Sequence, residues 1–324
     1  MSAHSTRRLR IWVISDGKAG DEMPCLGVSD ALYGDVTLIR VRPRALWAGL
    51  SPWIPADPRD VCLVRDLLET QTPDIVIASG RRAVPLVRWI KKHIANVFTV
   101  ILKDPRTRFS GADLIWVSEH DTLRGDHVMT TLTTPHRHST GKLALAWATP
   151  DPRLKDLPSP RVAVLLGGNS RHHHFSNDDQ ARLMDNLTRL TEQGVRIMVT
   201  PSRRTPETLL AHIKALCVRT QSFFWDGTGD NPYLAILALA DAVVVTADST
   251  NMVGEAAATG KPILLFEPSG GHPKITQFLQ AMMEKGYAHL FTGQLTGAPY
   301  TPIDSTPIIA ERIMARMRQR APDA

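Results

Sequence analysis

The sequence predicts an α/β fold of two Rossmann-like, doubly wound domains facing a central cleft. Three observations predict it. Short apolar runs of strand length alternate with helix-length segments along the chain of 324 residues. The runs are continuous and rich in Val, Ile and Leu, as strands buried on both faces of a parallel sheet are. A proline-rich stretch, "WATPDPRLKDLPSPR", separates two such series.

Each element follows in order. The strands "IWVIS", "VTLIRV", "DIVIAS", "FTVIL" and "LIWVS" mark a first domain over 1–147. After a linker at 148–160, "VAVLLGG", "VRIMVT", "SFFW", "AVVVT" and "ILLF" mark a second over 161–303. The closing segment, "TPIIAERIMARMRQR", reads as an amphipathic helix with a basic last turn, and 304–324 is assigned to this helix and a tail. Two such sheets place a cleft between their carboxyl ends, where ligands of doubly wound folds bind.

Composition narrows the function. Hydrophobic content of 43% and charged content of 22% suit a soluble globular chain, and no apolar run nears the ~20 residues that span a bilayer. The start, "MSAHSTRRLR", is basic but lacks the apolar stretch of a secretory signal. Cys25, Cys62 and Cys217 are isolated, so neither a disulfide framework nor a zinc site is indicated, and a cytoplasmic setting is expected. Residues 1–150 carry 20 Lys and Arg against 15 Asp and Glu, a net +5; residues 151–324 carry 18 against 17, a net +1. The basic first half suits an anionic partner, such as a phosphorylated glycolipid or the inner face of a membrane, although a solvated basic face has the same composition. Trp47 and Trp53 in "RALWAGLSPWIP" fit that membrane reading, or a packed core. No finger, RRM or KH pattern appears, so nucleic acid is not expected as a partner.

Polar loops follow the strands. "SDGKAG" brings Asp16, Gly17 and Lys18, and "SGRR" brings Gly80, Arg81 and Arg82, each just past a strand of the first domain. General-base candidates are Asp16, Asp21, Asp104, Glu119, His120 and Asp121, with Asp16, Glu119 and His120 foremost. In "LLGGNSRHH", Gly167 and Gly168 would let backbone approach a phosphate, with Asn169 and His172 beside them. This is not GxGxxG, and successive imidazoles diverge, so neither a dinucleotide motif nor a three-His metal site is expected. Arg203 and Arg204 in "TPSRRTPE" would grip a diphosphate, with Ser202 as hydroxyl partner. "FFWDGTGDNPY" offers Asp230 and Asn231 in a turn that would read a base edge or merely cap a helix.

The densest signal is "VVVTADSTNMVGEAAATGKPILLF". It reads as strand, loop, helix and strand, the helix capped by Ser249, Thr250 or Asn251 and closed at Gly260. Such a helix start is an anion site through its free amides and dipole. Glu255, one turn in, would accept two hydroxyls, as a ribose diol would supply. The plain alternative is a capped helix with a surface Glu.

Together, "SDGKAG", "ASGRR", "SEHDTLRGDHV", "GGNSRHH", "PSRRTP", "DGTGDNPY", "ALADAVVVTADSTNMVGEAAATGKP" and "GHPKITQFL" resemble the mitochondrial-fission Elm-type family over almost the whole chain. The resemblance implies a GT-B-like fold, donor nucleotide in the second domain, no metal, and an acceptor in the first domain, with Gly17, Lys18, Gly80, Arg81 and Arg82 on its side. It also implies that Glu255 holds the ribose and that the loop with Asp248, Ser249 and Asn251, and the helix after it, face the diphosphate and sugar. One loop departs: the family usually continues with His-Glu-Asn-Gln where this chain has Asp21, Glu22, Met23 and Pro24. The expected function is a metal-independent glycosyltransferase moving a sugar from a nucleoside-diphosphate sugar, its donor substrate, to an acceptor such as an anionic lipid-linked glycan. No cofactor is expected. The alternatives are a non-catalytic adaptor of the same fold that recruits a protein partner, as plant members of the family do in organelle division, and a sugar-nucleotide epimerase.

Overall fold

A computed structural model describes residues 7–320 of the chain. The first series forms β1 (Arg10–Ser15), α1 (Ala19–Ala31), β2 (Asp35–Arg40), α2 (Ala45–Leu50), α3 (Pro58–Leu68), β3 (Ile75–Ser79), α4 (Val84–His93), β4 (Phe98–Leu102), β5 (Leu114–Ser118) and β6 (Val128–Thr131). The second forms α5 (Thr140–Ala148), β7 (Arg161–Leu166), β8 (His173–His174), α6 (Asn177–Glu192), β9 (Arg196–Pro201), α7 (Glu207–Arg219), β10 (Phe223–Phe224) and α8 (Tyr233–Leu239). It continues through β11 (Ala242–Thr246), α9 (Thr250–Ala257), β12 (Ile263–Phe266), β13 (Ser269–Gly270), α10 (Pro273–Glu284) and β14 (Ala288–Leu290), and the chain closes with α11 (Ser305–Arg320).

Each series makes one six-stranded parallel sheet, ordered β2-β1-β3-β4-β5-β6 in the first unit and β10-β9-β7-β11-β12-β14 in the second. Alternation along the strands explains the continuous apolar runs. Ile11 and Val13 of β1 join Ile75, Ile77 and Trp116 against α1 and α11, whereas Trp12 and Ile14 join Val76 and Ile101 against α3 and α4. Successive side chains point to opposite faces and both faces are covered, so the strands are apolar on both sides, and buried hydroxyls among them, as at Ser15, Ser79 and Thr99, are hydrogen-bonded. In the second unit Val162, Val164, Ile197, Val199 and Val244 pack with Leu183, Leu187, Leu209 and Ile213 of α6 and α7.

The units divide differently from the expected boundaries. One comprises residues 7–137 with 305–320, the other 138–304. The proline-rich stretch at 148–160 is not where they part, because it is bound into the second unit. Leu154 is fully buried, and Arg153 donates to the Asp230 carbonyl (3.1 Å) with its guanidinium 6.0 Å from the Phe223 ring centroid. The C-terminal helix returns to the first unit, where Ile309 and Ile313 bury beside Cys25 and Val28 of α1. Periodicity marks a helix but not the surface that receives it.

One close approach is testable. A Cβ on Gly27 would lie 2.4 Å from the His136 carbonyl oxygen, a backbone atom that cannot step aside alone. Gly27→Ala should therefore cost about 2 kcal/mol. The expected reading is a lower urea midpoint with an unchanged slope.

Candidate functional site

In an open parallel sheet, ligand crevices form at the carboxyl ends of the two strands whose connections leave in opposite directions. In the first unit these strands are β1 and β3; in the second they are β7 and β11. The loops singled out from sequence, "SDGKAG", "SGRR", "GGNS" and "ADSTN", follow these four strands.

In the first unit Asp16 lies just past β1, its carboxylate 2.5 Å from Lys18 Nζ and 3.6 Å from Arg82 Nη1. Gly17 (φ +80°) and Gly80 (φ +86°) occupy left-handed turns at the ends of β1 and β3. Thus Lys18 and Arg82 gather about Asp16, with Gly17 next to it in the chain, whereas Gly80 faces Asp21, whose Oδ2 would lie 3.4 Å from a Cβ there. Arg81 turns away: its Nη1 donates to the carbonyls of Gly49 (3.1 Å) and Ser51 (2.9 Å). Glu119 and His120 do not join Asp16. They follow β5, three strands from β1, which at ~4.8 Å per strand puts them roughly 14 Å along the sheet edge. The three expected catalytic residues therefore cannot share one proton transfer within this sheet.

The departing tetrapeptide has its own chemistry. Asp21 accepts from Ser79 Oγ (3.1 Å) and Lys103 Nζ (2.7 Å). Glu22 takes a two-pronged bond from Arg40 (2.9 and 2.8 Å) and one from Ser15 Oγ (3.0 Å). Arg40 is the main cause holding the Glu22 carboxyl below its usual range. Pro24, inside α1, has no N–H for the Gly20 carbonyl, and Lys103 Nζ donates there instead (2.8 Å). Sequence reasoning passed over Lys103, because nothing in its neighbourhood announces a carbonyl orphaned 83 residues earlier.

In the second unit the loops after β7, β9 and β11 lock together. Gly167 N–H donates to Thr246 Oγ1 (2.7 Å) and Gly168 N–H to Asp248 (3.1 Å). A Cβ at either glycine would sit 2.0 Å from its neighbour, Asp248 Oδ1 for Gly167 and the Arg204 carbonyl for Gly168. These glycines were expected to let backbone approach a phosphate. Instead they make room for the protein's own carboxylate and backbone, and their amides are occupied. Asp248 is buried and accepts from Thr246 Oγ1 (2.8 Å) and Arg204 Nη2 (3.0 Å). Arg204 also holds the carbonyls of Gly168 (3.1 Å) and Asn169 (2.9 Å), so it clamps the loop from within. Arg203, by contrast, is exposed and carries no ion pair among the described residues. Ser202 Oγ accepts from the Arg204 amide (3.2 Å) and Asn169 Oδ1 from the Phe175 amide (2.8 Å), so both shape the loop.

The histidines diverge. His173 is buried, and burial lowers its basicity; His172 is exposed, its ring 4.5 Å from that of His272. Asp230 and Asn231 lie in an exposed turn. Asn231 Oδ1 accepts from the Tyr233 amide (3.0 Å) two residues on, an Asx turn that leads into α8, whose N-cap is Pro232.

Ser249 is the N-cap of α9, its Oγ accepting from Met252 N–H (3.4 Å). That leaves the amides of Thr250 and Asn251 without helical partners, as at any helix start. Glu255 sits one turn on, 16% exposed at its side chain. Its Oε2 accepts from the Tyr233 hydroxyl, and its Oε1 lies 3.9 Å from His138 Nε2. Burial pushes this carboxyl up to about 7, against the pull of the Tyr233 hydrogen bond. Glu255 is therefore not a surface carboxylate, yet both oxygens already face partners from this chain. Neither Tyr233 nor His138 was singled out from sequence. His138 lies 117 positions before Glu255, counting from 138 to 255, with no shared motif.

Comparison with solved structures identifies the architecture. The chain is similar to UDP-GlcNAc 2-epimerase from Methanocaldococcus jannaschii, with TM-score 0.56 and 9% identity over 95% of this chain and 100% of that one. It is also similar to a UDP-glucosyltransferase from Polygonum tinctorium, with TM-score 0.50 and 10% identity over 97% of this chain and 93% of the other. At such identities the likeness shows the fold, a GT-B-like pair of Rossmann-like units. In sequence the chain is 29% identical over 301 residues to mitochondrial fission protein ELM1 of Arabidopsis thaliana, covering 84% of this chain and 70% of the relative. The mitochondrial fission ELM1 family matches residues 19–317, and the chain belongs to that family.

Proposed function

We propose that this protein is a metal-independent glycosyltransferase that binds a nucleoside-diphosphate sugar in its second unit and moves the sugar to an acceptor at its first. The observation that carries this reading is α9: its capped N-terminus opens beside the β7–β11 switch point, with a nearly buried carboxylate one turn in. A nucleoside diphosphate matches both features. Helix amides and Arg203 would meet the phosphates, and Glu255 the ribose hydroxyls. Stabilising the leaving diphosphate this way is preorganised electrostatic catalysis. Asp16, with Lys18 and Arg82 about it, is the general base this reading assigns at the acceptor side. An anionic lipid-linked glycan at a membrane surface suits the basic first half as acceptor.

Calorimetry with UDP, GDP, ADP and CMP, without added metal, tests the donor site. One diphosphate should bind at micromolar strength, and Glu255→Ala should weaken it at least about tenfold, roughly 1.4 kcal/mol. Failure of all four ligands to bind folded wild-type protein would sink the reading.

One observation favours a second reading. The loops joined by Gly167, Gly168, Asp248 and Arg204 satisfy one another internally, as a scaffold rather than an open cradle would. A non-catalytic adaptor of the same fold, recruiting a protein partner, is consistent with that and with the name of the plant relative. An epimerase, such as the Methanocaldococcus jannaschii neighbour, differs operationally: it would alter a nucleotide sugar with no acceptor present.

A further inference from the structure

The segment from 45 to 56, "ALWAGLSPWIPA", holds no charged residue, yet three of its large apolar side chains stay exposed. Leu46 is 62% exposed, Leu50 46% and Trp53 65%. Leu46 and Leu50 stand four apart on α2, and Trp53 follows in a turn closed by its amide on the Leu50 carbonyl (3.0 Å). Leu46 and Leu50 therefore share one side of α2, and Trp53 is exposed in the turn that follows directly.

This outward display is held in place from beneath. Arg81 donates to the carbonyls of Gly49 and Ser51, and Arg88 to those of Pro52 and Ile54. Two guanidinium groups, one just before α4 and one within it, thus tie down the backbone from 49 to 54. A loop free to collapse would tuck its tryptophan under itself; this one is tied so that it cannot. Trp47 marks the contrast, being half-buried with the Arg44 guanidinium 3.9 Å over its ring.

The rim is cationic. Arg42, Arg44 and Arg59 are exposed on either side of the uncharged segment. The carboxylates nearby, Asp57 and Asp60, are buried. Asp57 accepts from Arg44 Nε (3.0 Å) and from the amides of Arg44 and Arg59, and Asp60 from the Arg42 amide (3.2 Å). The guanidinium groups of Arg42 and Arg59 have no ion pair among the described residues. From 41 to 60 the surface therefore offers apolar side chains and positive charge, with no exposed carboxylate.

We infer that α2 and the turn after it form a docking face for an anionic lipid bilayer. Leu46, Leu50 and Trp53 enter the headgroup boundary, and Arg42, Arg44 and Arg59 meet lipid phosphates around them. The occupant follows from the chemistry: an uncharged tip with an indole suits the interface of a bilayer, and a basic rim with two unpaired guanidinium groups suits anionic headgroups. This deepens the membrane part of the reading above but does not depend on sugar transfer, since an adaptor would need the same face.

Co-sedimentation of the full chain with vesicles tests it, comparing phosphatidylcholine alone with phosphatidylcholine carrying about 30% phosphatidylglycerol. The protein should bind the anionic vesicles at least about tenfold more tightly and be released by roughly 0.5 M salt. Leu46→Glu with Trp53→Glu should weaken binding about tenfold, as should Arg42→Gln with Arg59→Gln. All four positions are exposed, and an unchanged melting curve confirms that the variants fold. Absence of binding to anionic vesicles overturns the proposal, and so does binding that persists in the Leu46/Trp53 variant. A concentration-dependent dimer abolished by the same double variant, without lipid binding, would assign the face to a second copy instead. Nucleotide calorimetry in solution reads the donor site separately, so neither failure disguises the other.

Discussion

Between pH 4.5 and about 7 this protein should lose up to about 3 kcal/mol of stability through one side chain, Glu255. In the unfolded chain its carboxyl releases a proton near 4.5; in the folded protein burial delays release to about 7. Across that window the folded state holds more protons, so rising pH favours unfolding. The contribution is fully present below 4.5 and is lost as pH rises through about 7. The 16% of the side chain that still reaches solvent softens the penalty, which makes about 3 kcal/mol the upper end. Glu255→Gln keeps an oxygen for the Tyr233 hydroxyl and removes the charge. Urea unfolding of both proteins should show near-equal stability at about pH 4.5, with the Gln variant ahead at about pH 8. An unchanged difference at the two pH values would mean that the carboxyl titrates as in water.

The same titration bears on ligand binding. Only the ionised carboxylate offers acceptors alone to a diol, so nucleotide affinity should rise with pH through the same window. A ribose must also displace the Tyr233 hydroxyl from Oε2.

Asp248→Ala should cost about 2–4 kcal/mol, because it removes a buried acceptor that three donors share. The Gly168 amide and Thr246 hydroxyl would be left without this partner. Arg204 would keep its two carbonyls but lose its counter-charge; being half-exposed, it can recover water, which keeps the cost below that of a fully buried pair. Asp248→Asn should cost less, since one amide oxygen still accepts. Denaturant midpoints give the ranking. If both variants match wild type, the three loops are not held by this carboxylate.

Asp248 shows where sequence reading stopped. Its place after a buried strand and before a capped helix was legible, because apolar runs, capping residues and Gly260 are local signals. Its use was not. A carboxylate beside a helix start suggests exposure to a ligand, but whether it faces solvent depends on what arrives from β7 and β9, roughly 80 and 45 residues earlier. Glu119 and His120 illustrate the converse: the strand before them was legible, but its position three strands from β1 was not. Strand order is set by long-range pairing, and no short motif encodes it.

The local pattern of the chain thus determined its parallel α/β class, most of its strands, its capped helices and the loops that carry polar chemistry. Those depend on periodicity and on residues within a turn of one another. Tertiary structure alone decided that α11 covers the first sheet, that Lys103 serves the carbonyl orphaned by Pro24, that Arg204 faces inward and Arg203 outward, and that Glu255 meets Tyr233 and His138. Each is a contact between residues far apart in sequence, and burial and charge at such contacts arise only when the sheets have formed.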